Sequence, residues 1–185
     1  MDIDDLLKKE SGIRLDIGCG GHKQKGFVGM DIQPLPGVDI VHDFLSFPWP
    51  LPDECCLLAM ASHVIEHIPP VWWRDGKTEW PFLRFMDEVW RVLKPEAKFV
   101  ASMPYAGSRG YWQDPTHVNG CNEVTWLYFD PLNAAGGIEP DGVAMFYKFY
   151  RPKPWEVDVN QIFTDQVGNM EVVLRKRRED PVYYG

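Results

Sequence analysis

Three stretches of the 185-residue chain carry residues able to do chemistry. The first is IRLDIGCGGHKQKGFVGMDI, residues 13–32, where two apolar runs flank a glycine cluster and acids stand at Asp16 and Asp31. A glycine turn after a strand lets the backbone come close to a nucleotide-like cofactor, because glycine takes positive φ without steric cost. The dinucleotide fingerprint needs glycine at position 23, where Lys23 stands, and an acid about 20 residues beyond the first glycine. Asp31 follows Gly18 by 13 residues, so an NAD site fits badly. The second stretch, HVIEH at residues 63–67, has the HxxEH spacing of inverted zincins. That chemistry needs both histidines on one face of a sustained helix, together with a third ligand. Pro69 and Pro70 follow at once and leave no room for such a helix, so no structural or catalytic metal is expected. The third stretch is GYWQDPTHVNG, residues 110–120, which gathers Tyr111, Trp112, Asp114 and His117. Histidine titrates in the range useful for a base, so His117 reads either as an acceptor-site group or as a packed residue beside a turn capped by Asp114.

These stretches need elements to position them. Apolar runs at 13–18, 27–32, 38–44, 56–62 and 98–104 read as buried strands. Residues 82–95 repeat Leu83, Met86, Val89, Trp90 and Leu93 at helical spacing and stop at Pro95. A short amphipathic helix is expected over 1–10 and a proline-rich loop over FPWPLPDE. Residues 105–150 are aromatic, rich in Gly and Pro, and read as an irregular lid or binding segment. Two last strands, RPKPWEVDVNQIF and MEVVLRKRR, turn around Gly168 and Asn169. The pattern predicts a single α/β domain over 1–185, Rossmann-like, with a mostly parallel sheet of about seven strands and an antiparallel C-terminal hairpin strand.

Composition narrows the function classes. A formal net charge of −8 disfavours extended nucleic-acid binding, and the basic run Arg175-Lys176-Arg177-Arg178 reads as a solvated strand end. The four cysteines show no CxxC pair and no zinc spacing, which fits reduced thiols in the cytoplasm. The first dozen residues lack the apolar core of a signal peptide, and no apolar run approaches the ~18 residues of a membrane span.

In combination these segments resemble the class I S-adenosylmethionine (SAM)-dependent methyltransferases. The likeness runs over about residues 12–178, through LDIGCG, Asp31, HDF, ASHVIEHI and MDEVWRVLKPEAKFVASMP. It is closest to a bacterial and phage subgroup with a contracted first crossover, an FPWP loop and a QDPTH segment. The resemblance implies that Gly18 and Gly20 approach the methionine part of SAM and that Asp16 meets its ammonium group. It implies that Asp31 takes the ribose hydroxyls, while Asp43 and the Phe44 amide meet adenine. Cys19, Ile32, Ser62 and His63 complete the expected cofactor contacts. His67 and His117 are the expected catalytic residues, and Glu66, Tyr111, Trp112 and Asp114 the expected acceptor-binding ones. The product is S-adenosylhomocysteine and the acceptor a small molecule; a homodimer is a further expectation. The acidic or Asn-Pro-Pro-aromatic motif of DNA amino-methyltransferases is missing after the fourth strand, where SHVIEH stands. The nine residues between Ile17 and Phe27 are fewer than the dozen or more of a normal parallel crossover, so the first helix is expected to shrink to about a turn. The competing readings are a SAM-binding protein without catalysis and an HxxEH zinc protease.

Overall fold

The computed structural model describes Leu7, residues 11–162 and residues 168–178. The helix expected over 1–10 falls outside the described residues except for Leu7, which packs against the core. Part of the turn expected near Gly168, residues 163–167, also falls outside them.

Short apolar runs form β1 (Ile13–Ile17), β2 (Val28–Asp31), β3 (Ile40–Val41), β4 (Cys56–Ser62), β7 (Leu93–Pro104), β8 (Trp155–Ile162) and β9 (Asn169–Lys176). They make one seven-stranded sheet in the order β3-β2-β1-β4-β7-β9-β8. Strands β3 to β7 of that row are parallel, and β9 runs antiparallel to both β7 and β8. Chain order reverses between β1 and β4. In open α/β sheets that is where diverging loops leave a crevice at the carboxyl ends of the strands.

Helix α1 (Pro81–Val92) starts with proline at its first turn, where no amide partner is lost, and buries Phe82, Phe85, Met86, Val89 and Val92. Phe85 meets Phe44, Trp49 and Phe99 edge-on. The helix was expected to run to Pro95, but β7 begins at Leu93. The residue before proline favours extended backbone, so Lys94 already belongs to the strand. The proline-rich loop is irregular as expected, and it is anchored. The Trp49 amide donates to Glu88 Oε1 at 2.6 Å, and its indole donates to the Phe44 carbonyl at 2.9 Å.

Three other local expectations need correction. The third strand shrinks from 38–44 to two residues, because Asp43 turns the chain through bonds to the Leu45 and Ser46 amides. A hairpin of β5 (Trp72–Arg74) and β6 (Lys77–Glu79) precedes α1. Its turn is Asp75-Gly76, both at positive φ, a sequence pair suited to that geometry. Within 105–150 the chain forms α2 (Arg109–Trp112), α3 (Met145–Tyr150) and two short 3-10 turns. Tyr128 stacks on Phe146 at 5.0 Å, and Trp126 and Phe129 enter the main core.

The basic run is not a solvated strand end. Lys176 is 2% exposed, lies 3.9 Å above the Trp90 ring, and donates to the Leu93 carbonyl at 2.7 Å and to Glu54. Burial pushes its amine below the ordinary value, with Glu54 opposing that shift. Arg175 pairs with Glu96, Glu156 and Asp158, and Arg177 with Asp130. Only Arg178 stands largely exposed among the four. Lys176→Ala is expected to cost about 2–4 kcal/mol, because it opens a cavity and strips a buried carbonyl of its donor. Lys176→Met, which keeps the stem on Trp90, should cost less than half of that. Urea unfolding of both variants is the check; equal losses would show that packing of the stem contributes nothing.

Candidate active site

The crossover between β1 and β2 contains turns and no helix. The Met30 carbonyl takes the amides of Gly18 and Cys19, and acids take those of Gly20 and Gln24. Asp16 Oδ2 accepts from the Gln24 amide at 2.9 Å, and Asp31 Oδ2 accepts from the Gly20 amide at 2.9 Å. Lys23 pairs with Asp39 at 2.5 Å, and the same Asp39 oxygen takes the Gly29 amide. Asp16 is 5% exposed, and burial raises its pKa against the opposing pull of the Gln24 bond and Lys23.

The two glycines of the turn differ in what surrounds them. A Cβ at Gly20 would meet nothing within 4 Å, so the space above it is open. At Gly18, φ is +66° and a Cβ would lie 2.4 Å from Val64 Cγ2. Gly18 therefore admits a core side chain, and Val64 leads directly into residues 65–67. Cys19 turns inward, with its Sγ beside Gly29, and burial with help from Asp16 and Asp31 pushes its thiol up to about 11. Only its backbone is placed to meet a cofactor.

Asp31 and Asp43 stand at and just beyond the carboxyl ends of β2 and β3. Asp31 Oδ1 takes the Gln33 amide and Asp43 Oδ1 takes the Leu45 amide, so each acid also shapes its own turn. A carboxylate oxygen has two lone-pair sites, so each acid keeps capacity for an external donor. Ile32, beside Asp31, is 56% exposed. Phe44 is half-buried against Phe85. Ser62 ends β4 in register with Ser102, and His63 follows at φ +55°, its amide bonded to the Ser102 carbonyl.

Beyond His63 the chain makes a single 3-10 turn, Ile65–His67. The HxxEH geometry is thereby excluded, because His63 lies outside this turn in a left-handed conformation. His63 Nδ1 instead meets Glu66 Oε1 at 3.1 Å, and that bond raises the histidine pKa against partial burial. The Glu66 side chain is 1% exposed, and among the described residues its Oε2 has no hydrogen-bond partner. The Glu66 carbonyl accepts from the amides of Val118 and Asn119 at 2.8 and 3.0 Å, while Asn119 Nδ2 donates to the Ile65 carbonyl. These bonds carry the 111–119 segment to the β4 tip.

His117 consequently lies over His67, with ring centroids 4.9 Å apart. Asp114 Oδ1 accepts from the Thr116 amide and hydroxyl, which holds its carboxyl below the usual range. Trp112 is 76% exposed and free to stack on a ligand. Tyr111, expected to bind the acceptor, is 7% exposed and packs on His117 and Trp112. It can support the site and cannot offer its face. An apolar pocket of about 240 Å³ lies next to this region, lined by Trp80, Phe82, Asn119, Tyr128 and Tyr150. Asn119, whose backbone amide bonds the Glu66 carbonyl, connects it to the histidine cluster, and the sequence alone does not reveal it, because its walls come from separate segments of the chain.

Gly18→Ala is expected to destabilise the protein by about 1–3 kcal/mol through the Val64 clash and the positive φ. Adding Val64→Ala should make Gly18→Ala less costly, since the clash is then gone and the dihedral strain alone persists. A thermodynamic cycle from chemical denaturation tests this, and strictly additive losses would show that the two side chains do not compete for space.

No protein-family model matches the sequence, and no curated protein matches it. Solved structures do. A SAM-dependent methyltransferase from Methanosarcina mazei aligns with TM-score 0.52 at 16% identity, over 97% of this chain and 100% of that one. The 16S rRNA (adenine(1408)-N(1))-methyltransferase of Catenulisporales acidiphilia, solved with SAM, aligns with TM-score 0.54 at 13% identity, over 97% and 93%. The [4+2]-cyclase SpnF aligns with TM-score 0.52 at 15% identity, over 95% and 80%. Identities this low speak to architecture, and the cyclase shows that one architecture carries more than one reaction. The chain has the α/β Rossmann-like methyltransferase fold.

Proposed function

We propose that the protein binds SAM at the carboxyl ends of β1, β2 and β3 and transfers its methyl group to a small-molecule acceptor beside His67 and His117. The observation that carries the reading is the row of acids. Asp16, Asp31 and Asp43 lie at three adjacent parallel strand ends, next to the open space over Gly20. That arrangement suits a ligand with an ammonium group, a diol and an amino-purine in sequence. Asp31 accepts from the ribose hydroxyls with its unused lone pairs, Ile32 covers an adenine face, and Asp43 with the Phe44 amide meets the adenine edge. Asp16 is committed to the Gln24 amide and acts on the ammonium group mainly through its charge. Ser62 and His63 border the cofactor from β4.

SAM supplies a methyl group already activated by its sulfonium, so alignment of the acceptor is the larger part of the protein's task. Trp112 offers a flat apolar face to that acceptor. His117 Nδ1 donates to the Tyr111 carbonyl at 2.8 Å, which leaves Nε2, 3.9 Å from Asp114 Oδ2, as the proton acceptor. His67 and Glu66 stand on the facing turn, with Asp114 as a fixed negative charge nearby. The 105–150 segment closes over this side as a lid. Membership of the bacterial and phage subgroup with a QDPTH segment, a cytoplasmic setting and a homodimer are part of this reading.

Two measurements test it. Calorimetry should detect SAM or S-adenosylhomocysteine binding, weakened about 100-fold or more by Asp31→Ala, since two hydrogen bonds to a charged group are lost. Tight NAD binding with no response to SAM would remove the proposal. With an acceptor found by screening for S-adenosylhomocysteine release, His117→Ala should slow transfer by ~10²–10⁴-fold with SAM affinity within a few-fold of wild type. An early-melting His117→Ala protein that still turns over at the wild-type rate would assign this histidine a packing role.

A further inference from the structure

Glu66, His67 and His117 share one small space. Each offers a ligand atom, and the three atoms lie within 4.8 Å of one another. His67 and His117 are 50 residues apart in sequence and are brought together by the bonds from the Val118 and Asn119 amides to the Glu66 carbonyl.

The hydrogen bonds around the rings fix how their protons sit. The His117 Nδ1 partner is a carbonyl, which accepts only, so Nδ1 carries the hydrogen and the neutral ring presents a lone pair at Nε2. The Thr116 hydroxyl lies 2.7 Å from Asp114 Oδ1 and 3.0 Å from His67 Nδ1. It has one hydrogen, and the carboxylate of Asp114 takes it. His67 Nδ1 must then donate to the hydroxyl, which also leaves a lone pair at Nε2. Both imidazoles are thus oriented through their far nitrogens, as metal-bound imidazoles are. The third member, Glu66, is buried, and among the described residues its Oε2 has no hydrogen-bond partner, an arrangement that costs free energy unless something satisfies it.

From these features we infer that Glu66, His67 and His117 form a site for a divalent first-row transition cation. Two imidazole nitrogens with one carboxylate select cations of the Zn²⁺ or Fe²⁺ class over Mg²⁺ or Ca²⁺, which prefer all-oxygen sites. Bonds of about 2.0–2.2 Å need ligand atoms somewhat closer than they stand, and His67, the exposed member, closes that gap by side-chain rotation. Three protein ligands leave coordination positions open toward solvent. The metal excluded by the HxxEH spacing enters by another route, because the third ligand comes from position 117 and His63 takes no part. Binding of the cation does not rest on the methyltransferase reading. Its role does, since a cation here would stand on the acceptor side and could lower the pKa of a bound acceptor hydroxyl.

The test uses the full chain, stripped with chelator and desalted, then titrated with Co²⁺ by visible absorption and with Zn²⁺ by calorimetry. One equivalent should bind. His67→Ala should weaken binding at least 10-fold, and His117→Ala should do the same. Thr116→Val removes no ligand and frees the His67 ring, so it should weaken binding about 10–100-fold. His67 is exposed, so its variant decides the matter even where His117→Ala fails to fold. Absence of saturable Co²⁺ uptake, uptake unchanged in His67→Ala, or thiolate-to-cobalt charge-transfer bands marking a cysteine site would each overturn the proposal. SAM calorimetry on the metal-free His67→Ala protein reads the cofactor site separately, so loss of one binding event is distinguishable from loss of the other.

Discussion

The constraint from which the site follows is the short connection between β1 and β2. Ten residues join two parallel neighbours, and they contain no helix to satisfy their own amides. Those amides still need partners. Carboxylates supply several of them: Asp16 takes Gln24, Asp31 takes Gly20, and Asp39 holds both Lys23 and the Gly29 amide. The acids at these strand ends therefore also build the turn between β1 and β2, and replacing one of them loosens the backbone that positions the others. The missing helix also removes an N-terminal dipole from this place, so positive charge on a ligand is met by carboxylates with little opposing field.

The second anchor is the Glu66 carbonyl. By accepting from two successive amides, it docks the 111–119 segment onto the single turn after β4. Gly18 contributes from below. Without a side chain there, Val64 sinks into the sheet and sets the height of residues 65–67. The glycine turn and the histidine cluster are thus linked through the contact of Gly18 with Val64. Glu66 serves two neighbours: its Oε1 engages His63, and its carboxylate lies within 4.8 Å of ring nitrogens of His67 and His117.

Charge elsewhere in the molecule is arranged to cancel. The basic residues of β9 are met by Glu96, Glu156, Asp158 and Asp130, and Lys176 is drawn inward over Trp90. This leaves the end of β9 with little free positive charge to offer a phosphate backbone, in keeping with the acidic composition of the chain.

What the sequence by itself determined is local. Apolar runs of a few residues specify the parallel strands, and the acids at Asp31 and Asp43 sit within a residue or two of those strand ends, so their edge of the sheet follows from chain order. Pro81 and Pro95 bracket the helix, and Asp75-Gly76 is a turn signal legible in the sequence even though the hairpin around it was not anticipated. Tertiary structure alone decided the rest. Tyr111 and Lys176 are residue types that usually reach solvent; Lys176 is buried because Leu93 and Glu54 from distant segments take up its amine, and Tyr111 packs on His117 within its own segment. The prolines after HVIEH already spoke against a ligand helix, and the fold agrees, with a left-handed residue after β4 and a single turn beyond it. What the sequence did not reveal is that Glu66 and His67 lie against His117, because the Val118 and Asn119 amides, 52 and 53 residues beyond Glu66, bond its carbonyl. Residue types record what a side chain can bind, while its neighbours depend on where the backbone hydrogen bonds of other segments must be satisfied.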